Sequence, residues 1–356
     1  MATALKECAV CDKQFLVKFR YQIERTEDKG VEYFCSQKCR QENTEDRGEV
    51  ECSACGKRFE PKYAFQQATQ DGKTVNYCSM ECRKPSVTDY RRRVVKNDEG
   101  AMRIAVLNQK GGTGKTTTTV NVGAGLADAG YRVLIIDVDS QGHVGVSLGV
   151  SGKKTLYSIL VEGAQLEECI VSARPNLDIL PADETLASAE IFLARRDDDR
   201  DKLLRKRLLD QQQDYDFVLL DCGPSLSLLN MNALTFADHL IVPVACDYLS
   251  LVGVKQVMKT LKNINRVLMH PIRVLGILPT FYDMRNNISD EAVKTLRGHF
   301  HDKVLPPIRV NTRLKEAPSE KQNIFEYAPE SRGATDYRRL VDWLVKQQER
   351  RLQASA

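Results

Sequence analysis

From residue 102 onward the chain alternates short apolar runs with stretches whose apolar residues recur at helical spacing. The runs are Arg103-Ile-Ala-Val-Leu-Asn, Leu177-Asp-Ile-Leu-Pro, 217–220, His239-Leu-Ile-Val-Pro-Val and Arg273-Val-Leu-Gly-Ile-Leu-Pro. Between them, 120–130, 184–195, 200–213 and 250–267 read as helices. Short, near-continuous apolar strands alternating with helices predict an α/β fold with a mostly parallel sheet covered on both faces. Near the end, apolar residues at 337, 340, 341, 344 and 345 predict a helix that docks on the body. Residues 83–100 are polar, contain a proline and show no periodicity, so they read as a linker.

Composition narrows the class. At 356 residues the chain is too long for one small domain and suits two or three modules. Apolar residues make up 42% and charged residues 28%, enough to bury a real core. The net charge of +4 excludes a histone-like polycation but leaves room for a local basic patch. Mean hydropathy is −0.38, and no apolar run approaches the ~20 residues of a membrane span. The start, MATALKECAVC, has no apolar segment of a secretory signal. The expectation is a cytoplasmic protein in which disulfides are disfavoured.

Eight of the 11 cysteines lie before residue 83, in two sets: Cys8, Cys11, Cys35, Cys39 and Cys52, Cys55, Cys78, Cys82. Each reads C-x2-C, a gap, then C-x3-C. The first pairs are offset by 44 and the second by 43. Flanking residues repeat too: Glu-Cys-Ala-Val-Cys-Asp-Lys-Gln-Phe at 7–15 matches Glu-Cys-Ser-Ala-Cys-Gly-Lys-Arg-Phe at 51–59. This is a duplicated module of about 40 residues, too small to fold on its core alone. Four thiolates around one Zn²⁺ would supply the missing stability, so the spacing predicts two zinc ions. The pattern resembles treble-clef-type zinc ribbons. Two disulfide modules or an iron–sulfur site are the alternatives. Asp12 and Gly56 suit the tight turn after each first pair. Residues 1–100 carry 19 Lys/Arg against 17 Asp/Glu, so protein docking is at least as good a role for them as nucleic-acid contact. The arginine run 91–93 reads as phosphate contact or simply as solvated charge. The expected domains are zinc module 1 at 1–45, zinc module 2 at 46–84, a linker at 85–101 and an α/β domain at 102–352.

The first apolar run leads into Gln109-Lys-Gly-Gly-Thr-Gly-Lys-Thr-Thr-Thr-Thr and then a helix. Strand, glycine-rich loop and helix are the context of a phosphate-binding loop. Gly111, Gly112 and Gly114 let the backbone wrap phosphates, with Thr113 and Thr117 completing the cradle. Lys115 is placed to reach the β- and γ-phosphates of ATP, and Thr116 to ligate Mg²⁺. A second lysine, Lys110, opens the loop; an ordinary phosphate loop does not need it.

With Lys110 in place, residues 102–349 resemble the deviant Walker A family, and within it the ParA/Soj partition ATPases. Tyr131-Arg-Val-Leu-Ile-Ile-Asp-Val-Asp-Ser-Gln-Gly-His is similar to the family's D-x-D-P-Q-G-N motif, and Asp221-Cys-Gly-Pro-Ser to its D-x-P-P-S. Asn311-Thr-Arg-Leu-Lys-Glu-Ala-Pro-Ser and Ser331-Arg-Gly-Ala resemble its C-terminal signature. The departures are Ser140 for Pro, His143 for Asn and Gly223 for the first Pro, and they put the timing of switching in question.

The resemblance implies a homodimer that sandwiches two ATP molecules, with Lys110 crossing to the partner's nucleotide. It implies that Asp139 positions the attacking water and that Asp221 binds Mg²⁺ through water. Asp137 either helps hold that segment or caps the next turn. It places Asn311 beside the adenine, and Arg285 and Arg313 on a non-specific DNA surface; surface ion pairs are the alternative for both arginines. It further implies a ParB-like or other cargo-bound adaptor that stimulates hydrolysis, and a nucleoid-associated protein. The tail lacks the apolar face of a membrane anchor, which weighs against the MinD branch. Cys222 beside Asp221 has no second cysteine to suggest an iron–sulfur carrier. A zinc-finger DNA-binding regulator with a nucleotide switch, and a metal- or iron–sulfur-linked ATPase, are the competing readings.

Overall fold

A computed structural model of the chain describes residues 5–17, 22–26, 30–35, 39, 49–53, 55–61, 67–70, 73–79, 82, 100–196, 199–212, 214–225, 227–246, 259, 262, 266 and 272–355. Two compact units are present, Met1–Val94 and Val95–Ala356. The arginine run at 91–93, and all but three residues of the helix expected over 250–267, lie outside the described residues.

The first unit shows the duplication in its strands. β1 (Lys6–Glu7) pairs antiparallel with β2 (Gln14–Phe15), and β3 (Ile23–Thr26) with β4 (Gly30–Tyr33). β5 (Val50–Glu51) pairs with β6 (Arg58–Phe59), and β7 (Gln67–Gln70) with β8 (Lys73–Asn76). The registers coincide: Lys6 opposes Phe15 as Val50 opposes Phe59. Residues 27–29 separate β3 from β4, but only 71–72 separate β7 from β8. That one-residue difference is why the offset drops from 44 to 43.

The second unit is built on β9 (Met102–Val106), β10 (Val133–Asp137), β11 (Val171–Arg174), β12 (Leu177–Leu180), β13 (Phe217–Asp221), β14 (His239–Ala245) and β15 (Arg273–Thr280). They form one sheet in the order β11-β12-β10-β13-β9-β14-β15. All neighbours are parallel except β11, which pairs antiparallel with β12 at the edge. Helices α1 (Lys115–Asp128), α2 (His143–Leu148), α3 (Leu186–Ala194), α4 (Leu203–Leu208), α5 (Leu228–Phe236), α6 (Asn287–Phe300) and α7 (Arg332–Ser355) accompany it. The predicted parallel α/β architecture is present, with α1 beginning five residues before the expected 120.

Side-chain alternation along each strand divides the core in two. Leu134 and Ile136 of β10 and Val218 and Leu220 of β13 join one buried cluster with residues of α3, α4 and α5. Val133, Ile135, Phe217 and Leu219 join another with residues of α1 and α7. Because both faces are covered, the strands read as continuous apolar runs. Helix α1 lies close against α7: a Cβ added at Gly125 would stand 2.7 Å from Val341. The Tyr337 hydroxyl, in α7, is 3.2 Å from Thr118 Oγ1, in α1.

Candidate functional site

The carboxyl ends of β9, β10 and β13 meet, and the loops that leave them form a cleft. The parallel register sets Asp137 directly beside Asp221. From β9 the chain turns through 107–114 into α1. Gly112 and Gly114 sit at φ 69° and 83°, left-handed values that side chains other than glycine's disfavour. Gly114 caps α1 with no side-chain bond, and no acidic residue occupies the first turn. The free N–H groups of the helix end are therefore available to an anion.

Residues Gly112 through Thr117 line a cavity of about 690 Å³. Asp139, Ser140, Gln141 and His143 form part of its wall, as do Gly223, Pro224, Ser225 and Asn230. Lys115 is buried, and its Nζ donates to the Lys110 carbonyl oxygen at 3.3 Å. Burial pushes its pKa down, partly offset by the carboxylates of Asp221 and Asp139. Thr116 Oγ1 donates to Asp221 Oδ2 at 2.6 Å, and Thr119 Oγ1 to Asp221 Oδ1 at 3.0 Å. Asp221 is 1% exposed. Burial raises its pKa to about 6 against the opposing pull of both hydroxyls and Lys115. The hydroxyl–carboxylate pair is the donor set that a hard, oxygen-seeking Mg²⁺ requires.

Asp137 is fully buried and spans the turn that follows it. Its Oδ1 accepts from Asp139 N at 3.1 Å and its Oδ2 from Val144 N at 3.0 Å. Burial, with Asp221 adjacent, holds its pKa well above the usual carboxylate range. It thus caps the turn and, through it, holds the segment that carries Asp139. The Asp139 carboxylate is half-buried and accepts from Gln141 N at 3.1 Å.

Lys110 and Gly111 stand outside the lining of this cavity, at the loop's entrance. Asn311 also lies outside the lining; its Oδ1 accepts from Arg313 N at 2.9 Å. Arg285 is 87% exposed and paired with Asp283 at 2.9 Å. Arg313 is 55% exposed, paired with Glu316 at 2.8 Å, and lies over the Tyr327 ring. Both arginines are therefore surface ion pairs in this state. Arg285 also borders a second hollow, of about 360 Å³, with Arg309 and Arg332.

Residues outside the motifs complete the cleft. Phe281 lines it at φ 52°, against Gly114, and Ala187 and Glu190 reach it from α3. Thr280 Oγ1 donates to Thr113 O at 2.9 Å, tying β15 to the phosphate loop.

In the first unit the four sulfurs of each set lie within 4.8 Å of one another. Cys11–Cys35, Cys35–Cys39 and Cys39–Cys11 are 3.5, 3.6 and 3.7 Å apart. Cys55–Cys78 and Cys78–Cys82 are 3.6 and 3.5 Å apart. A tetrahedron with Zn–S bonds of about 2.3 Å has edges of roughly 3.8 Å, and a disulfide would need about 2.05 Å. None of the 11 cysteines is paired in a disulfide. Asp12 and Gly56 take left-handed φ of 56° and 72°, as the tight turns require. Cys35 N donates to Cys8 Sγ at 3.3 Å and Cys78 N to Cys52 Sγ at 3.4 Å, stabilising thiolate charge. Both sets fit a zinc ion.

Residues 101–274 match the model of the AAA domain family. Soj, the sporulation initiation inhibitor protein of Bacillus subtilis, is 41% identical over 239 residues, covering 66% of this chain and 94% of that protein. The chromosome-partitioning ATPase Soj of Thermus thermophilus is 43% identical over 241 residues, 67% of this chain and 94% of that protein. The chain belongs to the ParA/Soj family of partition ATPases. Among solved structures, cobyrinic acid a,c-diamide synthase from Mycobacterium smegmatis, with a bound ATP analog and magnesium, superposes with a TM-score of 0.60. It is 31% identical, and the match covers 70% of this chain and 96% of that one. Among the described residues no helix is long and apolar enough to cross a membrane.

Proposed function

We propose that this ParA/Soj-family ATPase works as a positioning switch: it dimerises on ATP, binds DNA without sequence preference, and lets go when ATP is hydrolysed. The observation that carries the reading is the bond from half-buried Thr116 to buried Asp221, at the end of the glycine loop that leads into Lys115. In this scheme Gly111, Gly112, Thr113, Gly114 and Thr117 cradle the phosphates, and Lys115 neutralises them within its own subunit. Thr116 and Asp221 hold Mg²⁺, which would shield charge on the transferred phosphoryl group. Asp139 orients the attacking water. Lys110, at the entrance of the loop, supplies charge in trans to the partner's nucleotide, as an arginine finger does. Asn311 borders the adenine.

Arg285 and Arg313 form the DNA contact. Their ion pairs are exposed and worth ~0–1 kcal/mol each, so exchange for DNA phosphate costs little. A cargo-bound, ParB-like adaptor stimulates an otherwise slow turnover, and the protein resides in the cytoplasm on the nucleoid. The cysteine modules at 1–45 and 46–84 each hold one zinc and are joined by the linker at 85–101 to the ATPase domain at 102–352.

Equilibrium ATP titration with parallel turnover assays tests the two lysines. Lys115→Ala weakens ATP binding itself. Lys110→Ala leaves binding largely intact but abolishes dimerisation and hydrolysis. Hydrolysis at the parent rate by Lys110→Ala would contradict the sandwich.

A further inference from the structure

Asn230, in the first turn of α5, belongs to no motif, yet it is 1% exposed and lines the nucleotide cavity. Its Nδ2 donates to the carbonyl oxygens of Gly223, at 2.8 Å, and Ser225. Carbonyl oxygens can only accept, so the NH₂ and not the Oδ1 of the carboxamide must face these two. Its backbone N–H meets Ser227 Oγ, the cap of the same helix, at 3.3 Å. One residue thus clamps the helix end to the turn at 223–225.

That turn is the wall beside Asp139. A Cβ built on Gly223 would stand 3.5 Å from the Asp139 carboxyl group. The related motif has proline at this position, whose ring restricts the backbone from within. Gly223 has no such restriction, and the amide of Asn230 supplies one from outside. Asn230 Oδ1 remains buried with no hydrogen-bond partner, so a residue of this polarity is held here at a cost to the fold.

The geometry points to Asn230 as a positioning residue for ATP hydrolysis: its carboxamide fixes the 223–225 turn and so sets where Asp139 stands in the cavity. This rests on the proposed role of Asp139. No bond is made or broken at Asn230, and the phosphate and Mg²⁺ ligands are untouched by it. Its loss should therefore appear in the rate and not in nucleotide affinity.

The test is single-turnover hydrolysis by the full chain, with ATP affinity measured in parallel. Asn230→Leu keeps the volume and removes both donors. It slows hydrolysis by about tenfold or more, the scale of a displaced catalytic group, while ATP affinity stays near that of the parent. The Cβ of Gly223→Ala meets only ordinary contacts at 3.5–3.7 Å. Added to Asn230→Leu, it narrows the turn's freedom and recovers about threefold of the loss. A parent-like rate in Asn230→Leu overturns the proposal. So does loss of ATP binding together with rate, which marks a purely structural role, and so does absence of any recovery. Asp139→Ala, measured alongside, separates the two layers. Normal turnover by Asp139→Ala removes the underlying reading and this proposal with it. An inactive Asp139→Ala beside a normal Asn230→Leu removes the proposal alone.

Discussion

Asp221 sits where burial and function oppose each other. Its pKa of about 6 lies above the unfolded value, and burial is the cause. The ligand-free native state therefore holds this proton more tightly than the unfolded chain does. Between about pH 4 and 6, stability falls as pH rises through this group, and above pH 6 the full penalty remains. Asp221→Asn removes that contribution. In the absence of nucleotide the variant should unfold at a higher temperature than the parent at pH 7, with the gap closing near pH 4. Thermal unfolding across that range checks it; a gap constant with pH would contradict the assignment. That Lys115, Thr116 and Asp221 come together was legible in the sequence, because one loop spacing and one strand end place them. Asn230 and Phe281 were not. The first matters only because the chain folds back on 223–225, and the second only through a left-handed backbone that no side chain announces.

Strands buried on both faces were readable as apolar runs, whereas the edge strand β11 was not. Its sequence, Val171-Ser-Ala-Arg, is half polar and has a partner on one side only. The start of α1 was placed late because four threonines hide the helix: Thr118 and Thr119 are buried, and the one Thr119 hydroxyl proton is shared between Asp221 Oδ1 and Lys115 O, at 3.0 and 3.1 Å. Packing of α1 on α7 makes a direct test of the element contact. Gly125→Ala forces a Cβ to within 2.7 Å of Val341 and 2.9 Å of Phe325, and should destabilise by about 1–3 kcal/mol. Gly298→Ala, exposed in α6 with nothing within 4 Å, should stabilise by roughly 0.5–1 kcal/mol. Denaturant titration measures both, and equal effects would contradict the close approach. The cysteine modules make a second element-scale claim. The full chain should bind two zinc ions, and Cys35→Ser should leave one tightly bound, as read by metal analysis after dialysis. A parent zinc content in Cys35→Ser would exclude the first cluster. Deleting 1–95 should leave ATP binding intact, because the described residues that line the cleft run from Gly112 to Phe281.

At the scale of the whole molecule, the proposed switch requires hydrolysis to govern a surface distant in sequence from the phosphate loop. Thr280 bonds to the loop at Thr113 O, and Arg285 follows five residues later, so nucleotide cleft and basic surface share one segment. In the proposed dimer two copies of Arg285 and Arg313 would come together, which would let a chain of net charge +4 hold DNA. Adding Arg285→Glu and Arg313→Glu to Asp139→Ala should abolish DNA binding and leave an ATP dimer on size exclusion. A triple variant that still shifts DNA would place the DNA surface elsewhere. The central claim is tested most directly by DNA affinity of Asp139→Ala with saturating ATP and with ADP, across a range of salt concentrations. The account predicts binding with ATP alone, falling with salt at a slope of about −0.9 per phosphate neutralised. Equal affinity with ADP, or no affinity with ATP, would contradict it.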